Sequence, residues 1–186
     1  QKSISEKQFN KINKYLPNNA TILEVGCGQG GFSIFLAEKG YKVTGIDAEV
    51  YQPGRIPSNS SNNLEFIKCA VEQLDRKEYY DFIYMNAVIE HVDNPKNVIK
   101  SCNNLLKTGG HIYLGFPPYL SAFSHHLPVK LFPLPWVHLL YSKEKMLTKI
   151  SERITKEKID DFKDTFLSLN GLKMMELEQL LSINDF

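Results

Sequence analysis

The segment Thr21-Ile22-Leu23-Glu24-Val25-Gly26-Cys27-Gly28-Gln29-Gly30-Gly31 constrains the fold more than any other part of this 186-residue chain. Its first five residues read as a short buried strand. The glycines that follow read as a tight turn, and Phe32-Ser33-Ile34-Phe35-Leu36-Ala37-Glu38 reads as a helix. Glycine lets the backbone turn sharply and lets a ligand approach with no Cβ in the way. The helix start adds free N–H groups and the positive end of the helix dipole. Together these make a cradle for a nucleotide-type cofactor.

The turn satisfies two patterns. Gly26, Gly28 and Gly31 fit G-x-G-x-x-G, the dinucleotide fingerprint. Glu24, Gly26, Gly28 and Gly30 fit acidic-x-G-x-G-x-G. Glu24 discriminates between them. A carboxylate two residues before the first glycine repels a pyrophosphate at short range. The same carboxylate favours a ligand that carries an amino group and a sulfonium. Asp47 stands at the carboxyl end of the next strand, about 20 residues on, where a carboxylate can accept both ribose hydroxyls. That role serves either ligand class.

Strand and helix signals alternate along the chain, which predicts an α/β fold: a doubly wound, Rossmann-like, mostly parallel sheet with flanking helices. Strands are expected at residues 21–25, 42–46, 64–68, 82–85 and 111–116, with a sixth at 172–177. Helices are expected at 4–15, 31–39, 71–75, 95–107 and 156–169. Ile4, Phe9, Ile12 and Leu16 share one face of the first helix. Residues 53–63 read as an exposed loop, and Gly109 or Gly110 as a left-handed helix cap. The rhythm breaks after Pro117. Residues 117–150 carry five of the nine prolines and the only tryptophan. Residues 117–156 therefore read as a Pro/aromatic-rich cap insertion after strand 5, inside a single domain of residues 1–186 whose final strand is missing or replaced.

The net charge of +1 and the lack of a basic stripe argue against a nucleic-acid partner. Cys27, Cys69 and Cys102 have neither zinc nor C-x-x-C spacing, which fits reduced thiols in a cytoplasmic protein. No apolar run reaches the roughly 18 residues of a membrane span, and no signal peptide is evident.

With the glycine turn, the run Phe82-Ile83-Tyr84-Met85-Asn86-Ala87-Val88-Ile89-Glu90-His91-Val92, Pro95, and Gly109-Gly110 before a strand, the chain resembles the class I S-adenosylmethionine-dependent methyltransferases. The Glu-His-Val run points to their small-molecule subgroup. The resemblance covers about residues 20–118, and 157–178 more loosely. It implies that Glu24 lies near the methionine moiety of S-adenosylmethionine, with Gly26, Cys27 and Gly28 beneath the cofactor. It places Asp47 and Ala48 at the ribose, and Ala70, Val71 and Glu72 at the adenine. Asn86 and His91 face the cofactor side of the pocket. The implied reaction is in-line displacement that releases S-adenosylhomocysteine, with a small apolar or aromatic acceptor, lipid-like molecules included.

The sequence departs from the class at two places. Ala70 stands where an acid near the adenine is usual. Ala87 stands at the first position of a Glu-x-x-Glu-His pattern through which some relatives hold a divalent ion. Although His125 and His126 could complete a ligand set, no metal is expected, and Glu90 and His91 read as a helix-start and pocket-shaping pair. His125 and His126 are the candidates for taking a proton from the acceptor, whereas His111 and His138 read as packing residues. Tyr119, Phe123, Phe132, Trp136 and Tyr141 fit either the core of the cap or the lining of an acceptor pocket. Two other classes stay open: a nicotinamide-dependent oxidoreductase, disfavoured by Glu24 and by the lack of a Tyr-Lys or His pair, and a non-catalytic binding module.

Overall fold

Side chains alternate across a strand, and that alternation builds two cores in this molecule. In β1 (Thr21–Val25) Ile22 points to one face, while Leu23 and Val25 point to the other. In β4 (Tyr80–Asn86) Phe82 and Tyr84 join Ile22, while Ile83 and Met85 join Leu23. Both strands are thus apolar on both faces, as expected of central strands in a parallel sheet covered by helices on each side. The computed structural model describes residues 2–48, 62–127, 133–152, 163–184 and 186.

All pairings among the described strands are parallel. The order is β3 (Leu64–Lys68), β2 (Lys42–Asp47), β1, β4, β5 (Leu106–Gly115). Helices α1 (Lys2–Ile12) and α2 (Gly31–Glu38) cover one face, burying Ile12, Ile22, Phe32, Leu36 and Phe82. Helices α3 (Pro95–Leu105) and α7 (Met174–Ile183) cover the other, burying Leu23, Ile83, Ile99, Cys102 and Leu177. The start of α3 is written in its sequence: the Asn94 side chain accepts from Asn97 N at 3.1 Å, and Pro95 occupies the first turn, where its missing N–H costs little. Full burial of each large apolar side chain contributes roughly 1.5–3 kcal/mol.

Two sequence expectations are corrected. Residues 172–177 are not a strand. Leu172 is buried in the core, and the chain turns into α7, because Leu177, Leu180 and Leu181 recur at helical spacing and Glu176 Oε2 accepts from Lys173 N at 2.9 Å. Gly109 does adopt the left-handed conformation, with φ +78°, but inside β5 rather than at the end of α3. Tyr80 pairs with Leu106 and Phe82 with His111, so residues 107–110 bulge outward opposite Asp81. Asp81 ties this bulge to the sheet, accepting Lys107 Nζ and Thr21 N at 2.8 Å each.

Beyond β5 lie α4 (Val137–Leu140), α5 (Lys143–Ser151) and α6, described over residues 163–168. They share a small core of Leu127, Val137, Met146, Ile150 and Phe166, with Tyr141 packed against it. Trp136 and Phe123 are 48% and 42% exposed and belong to neither this core nor the clefts described below, so neither of the roles expected for them is seen. The expected loop over residues 53–61, Phe132 with residues 128–131, and the first part of the expected helix at 156–162 lie outside the described residues.

Candidate active site

The strand order reverses between β1 and β4, and in open α/β sheets a ligand crevice forms beyond the carboxyl ends of strands at such a point. Two adjoining clefts occupy it. The larger, about 530 Å³, is lined by Gly26, Asp47, Ala48, Ala70, Val71, Glu72, Val88 and His91, with Asp164, Thr165 and Ser168 from α6. The smaller, about 250 Å³, is lined by Glu24, Gly26, Cys27, Phe32, Tyr84 and Asn86, with Ile4, Ser5 and Gln8 from α1. Val25 and Gly26 are common to both.

The conformation of the turn separates the two glycine patterns. Gly26, Gly28 and Gly30 have φ of +71°, +51° and +73°, whereas Gly31 is the first residue of α2 and needs no such freedom. The three special positions are those of the pattern that includes Glu24. A side chain at Gly26 would be strained by its φ and would also strike Val88, whose Cγ2 would lie 2.2 Å from the added Cβ. At Gly28 the space above the backbone is open. The Gly28 N–H donates to Asp47 Oδ2 at 2.8 Å, so the carboxylate at the end of β2 holds the turn of β1.

Glu24 is 6% exposed, and the Ser33 hydroxyl donates to its Oε2. Burial pushes its carboxyl up to about 7, against the lowering effect of the Ser33 bond. The Cys27 thiol is pushed up to about 12 by burial and by the nearby Glu24 and Asp47 carboxylates, so it is no thiolate nucleophile near neutral pH. Ala70 N donates to Gln73 Oε1 at 3.1 Å within its own 3-10 turn, Val71–Gln73. That backbone donor is engaged locally, while Ala70 itself, the buried Val71 and the exposed Glu72 all line the larger cleft.

The two candidate histidines part company. His125 is 1% exposed, and its Nδ1 accepts from Leu127 N at 3.0 Å. Burial, with His138 and His126 nearby, drives its imidazole down to about 4, and it lines neither cleft. His126 instead stacks edge-on against His91, with ring centres 5.0 Å apart. Its Nε2 lies 3.8 Å from Glu90 Oε1. Glu90 itself is 3% exposed, and burial pushes its carboxyl up to about 7. The exposed His111 stacks on Tyr15, and His138 Nε2 donates to Tyr119 O at 2.7 Å.

Several residues of the site escaped the sequence reading. Ser5, Gln8 and Ser33 sit on helices with no local motif. Asp164, Thr165 and Ser168 arrive from more than 70 residues beyond His91. Ala87, at φ +56°, turns the chain so that Val88 lies on Gly26. Only the third dimension brings these groups together.

A doubly wound sheet with a left-handed glycine turn, a buried acid on β1 and an acid at the end of β2 defines a nucleoside-cofactor domain. The chain belongs to the methyltransferase domain family, whose model matches residues 4–138. Over 98 residues it is 37% identical to the ubiquinone biosynthesis O-methyltransferase of Nitrosomonas europaea, covering 50% of this chain and 42% of that protein. It is 36% identical to the enzyme of that name from Serratia proteamaculans, also over 98 residues, covering 50% and 41%. The matched region thus spans less than half the length of these curated relatives. Among solved structures, a Bacillus halodurans C-125 protein assigned as a methyltransferase superposes with a TM-score of 0.62 at 16% identity, over 96% of this chain and 68% of that one. The 1,6-didemethyltoxoflavin-N1-methyltransferase of Burkholderia thailandensis, solved with 1,6-didemethyltoxoflavin and S-adenosylhomocysteine, gives 0.50 at 21% identity, over 59% and 48%. At these identities the structural likeness is one of fold. No described helix is long and apolar enough to cross a membrane.

Proposed function

We propose that this protein transfers the methyl group of S-adenosylmethionine to an oxygen of a small, apolar or aromatic acceptor. The observation that carries the reading is the convergence of Glu24, Gly26, Cys27, Asp47, Ala48, Ala70, Val71, Glu72, Asn86 and His91 on two clefts that meet at Gly26, with Gly28 bonded to Asp47. In this reading the smaller cleft takes the amino-acid end of the donor, whose ammonium faces Glu24. Asp47 takes the ribose, and Val71 and Glu72 flank the adenine. The sulfonium already activates the methyl group, so the protein contributes alignment and exclusion of water. His126, beside the cleft residue His91, is the better placed of the two candidate histidines to receive the acceptor proton, and His125 is too enclosed for that role. The name of the relatives, ubiquinone biosynthesis O-methyltransferase, supports an oxygen nucleophile and a lipid-like acceptor. Their role and the free cysteines Cys27, Cys69 and Cys102 support a cytoplasmic setting.

Calorimetric titration with S-adenosylhomocysteine, and with NADH in parallel, tests the donor site. Micromolar binding of S-adenosylhomocysteine alone is expected. Asp47→Ala should weaken it at least tenfold, through loss of charge-assisted hydrogen bonds worth roughly 1.5–3 kcal/mol. Unchanged affinity in that variant, or a preference for NADH, overturns the assignment.

A further inference from the structure

Glu90 sits in an arrangement that hydrogen bonding leaves incomplete. Its carboxylate is buried, and neither oxygen has a hydrogen-bond partner among the described residues. Two imidazole nitrogens face Oε1: Nε2 of His126 at 3.8 Å and Nε2 of His91 at 4.0 Å. Both gaps are too long for hydrogen bonds. One ligand atom from each of Glu90, His91 and His126 falls within a sphere of mutual separations below 4.8 Å.

Ser168 Oγ lies within hydrogen-bond distance of Thr165 O, at 3.0 Å, and of His91 Nδ1, at 2.8 Å. With its own proton on the carbonyl, the serine oxygen accepts from His91 Nδ1. With the proton on Nδ1, the lone pair of His91 lies on Nε2 and points toward the Glu90 carboxylate. Lone pair against carboxylate is repulsive unless a proton or a metal cation is shared between them. A metal-bound imidazole has this organisation: one nitrogen on the ion, the other donating to an outer partner that fixes the ring. His126 is held in position by an unusual backbone, with φ +55° at a non-glycine residue. Among the described residues, the nearby ammonium of Lys143 is turned onto the carbonyls of Leu167 and Leu169 at 2.8 and 2.7 Å.

We propose that Glu90, His91 and His126 form a binding site for a divalent first-row transition cation, opening onto the larger cleft through His91. The donor set decides the class, because two imidazoles and one carboxylate suit zinc, cobalt, nickel or iron better than magnesium or calcium. Ligand bonds of about 2.0–2.2 Å need the three side chains to close in by less than about 1 Å each. The expectation of no metal rested on Ala87, a position that this ligand set does not use. Three protein ligands leave a coordination place for water or for the acceptor oxygen, whose proton a cation would make easier to lose. This deepens the methyl-transfer reading and rests on it for purpose. With the cation bound, the lone pair of His126 is on the ion, so the base role given to His126 above belongs to the cation-free site.

The test is titration of the chelator-stripped chain with Co²⁺, followed by visible absorption, and with Zn²⁺ by calorimetry. One equivalent is expected, with ligand-field bands of a nitrogen/oxygen site. His126→Gln and Glu90→Gln, each checked for folding by circular dichroism, should each weaken binding at least tenfold. His126 is partly exposed, so its variant keeps the test open should Glu90→Gln fail to fold. Lack of saturable binding, full affinity in folded His126→Gln, or a thiolate charge-transfer band that places the ion on a cysteine each overturns the proposal. Titration of the stripped chain with S-adenosylhomocysteine is read separately, so failure of the donor site and failure of the cation site give different results.

Discussion

At the scale of single residues, Glu24 combines burial with a place on the wall of the smaller cleft, and this has a definite pH signature. Its carboxyl titrates at about 7 in the folded chain, above the ordinary value of 4.5. The folded state therefore holds a proton that the unfolded state has released between those two values. Unfolding free energy must fall as pH rises through this window, by an amount on the order of 3 kcal/mol at its upper end. Glu90, raised by burial to the same value, adds a slope of the same sign. Glu24→Gln should therefore reduce the slope in denaturant unfolding measured from pH 5 to 8 without abolishing it, and an undiminished slope would remove Glu24 as a source. Binding runs the other way. An ammonium placed against Glu24 favours its ionised form, so affinity for S-adenosylhomocysteine should rise across pH 6 to 8 in the wild type and stay flat in Glu24→Gln. Glu24 was legible in the sequence because its spacing to Gly26 is local. Ser33, which holds it, was not, because a serine inside a helix carries no sign of what its face will meet.

At the scale of elements, the segment after α6 fixes the short 3-10 turn Ile89–His91. Asn170 Nδ2 donates to Ile89 O at 2.8 Å and to Val92 O at 2.9 Å, while Asn170 N donates to Glu90 O at 2.8 Å. Its Oδ1 accepts from Leu172 N at 3.0 Å. Asn170→Ala frees two carbonyls and one N–H, and should cost about 1–3 kcal/mol of stability in a denaturant melt. Asn170→Asp keeps the acceptor but loses both side-chain donations, so it should fall close to the alanine variant. Wild-type stability in both variants would mean that this clamp contributes nothing. Sequence reading found the first four β strands close to their places because each carries its own apolar run, but it began the fifth at residue 111 instead of Leu106 because the bulge at 107–110 carries no such run. It mistook residues 172–177 for a strand because Leu172 and Leu177 are both buried, yet only Leu177 belongs to the helical series that continues through Leu180 and Leu181. It read Asn170-Gly171 as a helix exit, which Gly171 at φ +79° supports, but the partners of the Asn170 side chain lie 78 and 81 residues away and leave no trace in local pattern.

At the scale of the whole molecule, the clefts join the two faces of the sheet, with α1 on one side and α6 on the other. A ligand that binds only this folded arrangement stabilises it by about 2.7 kcal/mol at a concentration 100 times its Kd. For a chain of this size the midpoint of thermal unfolding should then rise by roughly 5–10 °C with S-adenosylhomocysteine. A thermal scan that shows no rise would argue against a preformed donor site. Val88, resting on Gly26 where the clefts meet, adds a finer consequence. Its side chain lines the larger room only, beside the backbone shared by both, and so trims the passage between them from one side. Val88→Ala should widen that passage, and a larger gain in affinity for S-adenosylhomocysteine than for adenosine would show that its width matters to the molecule that spans it.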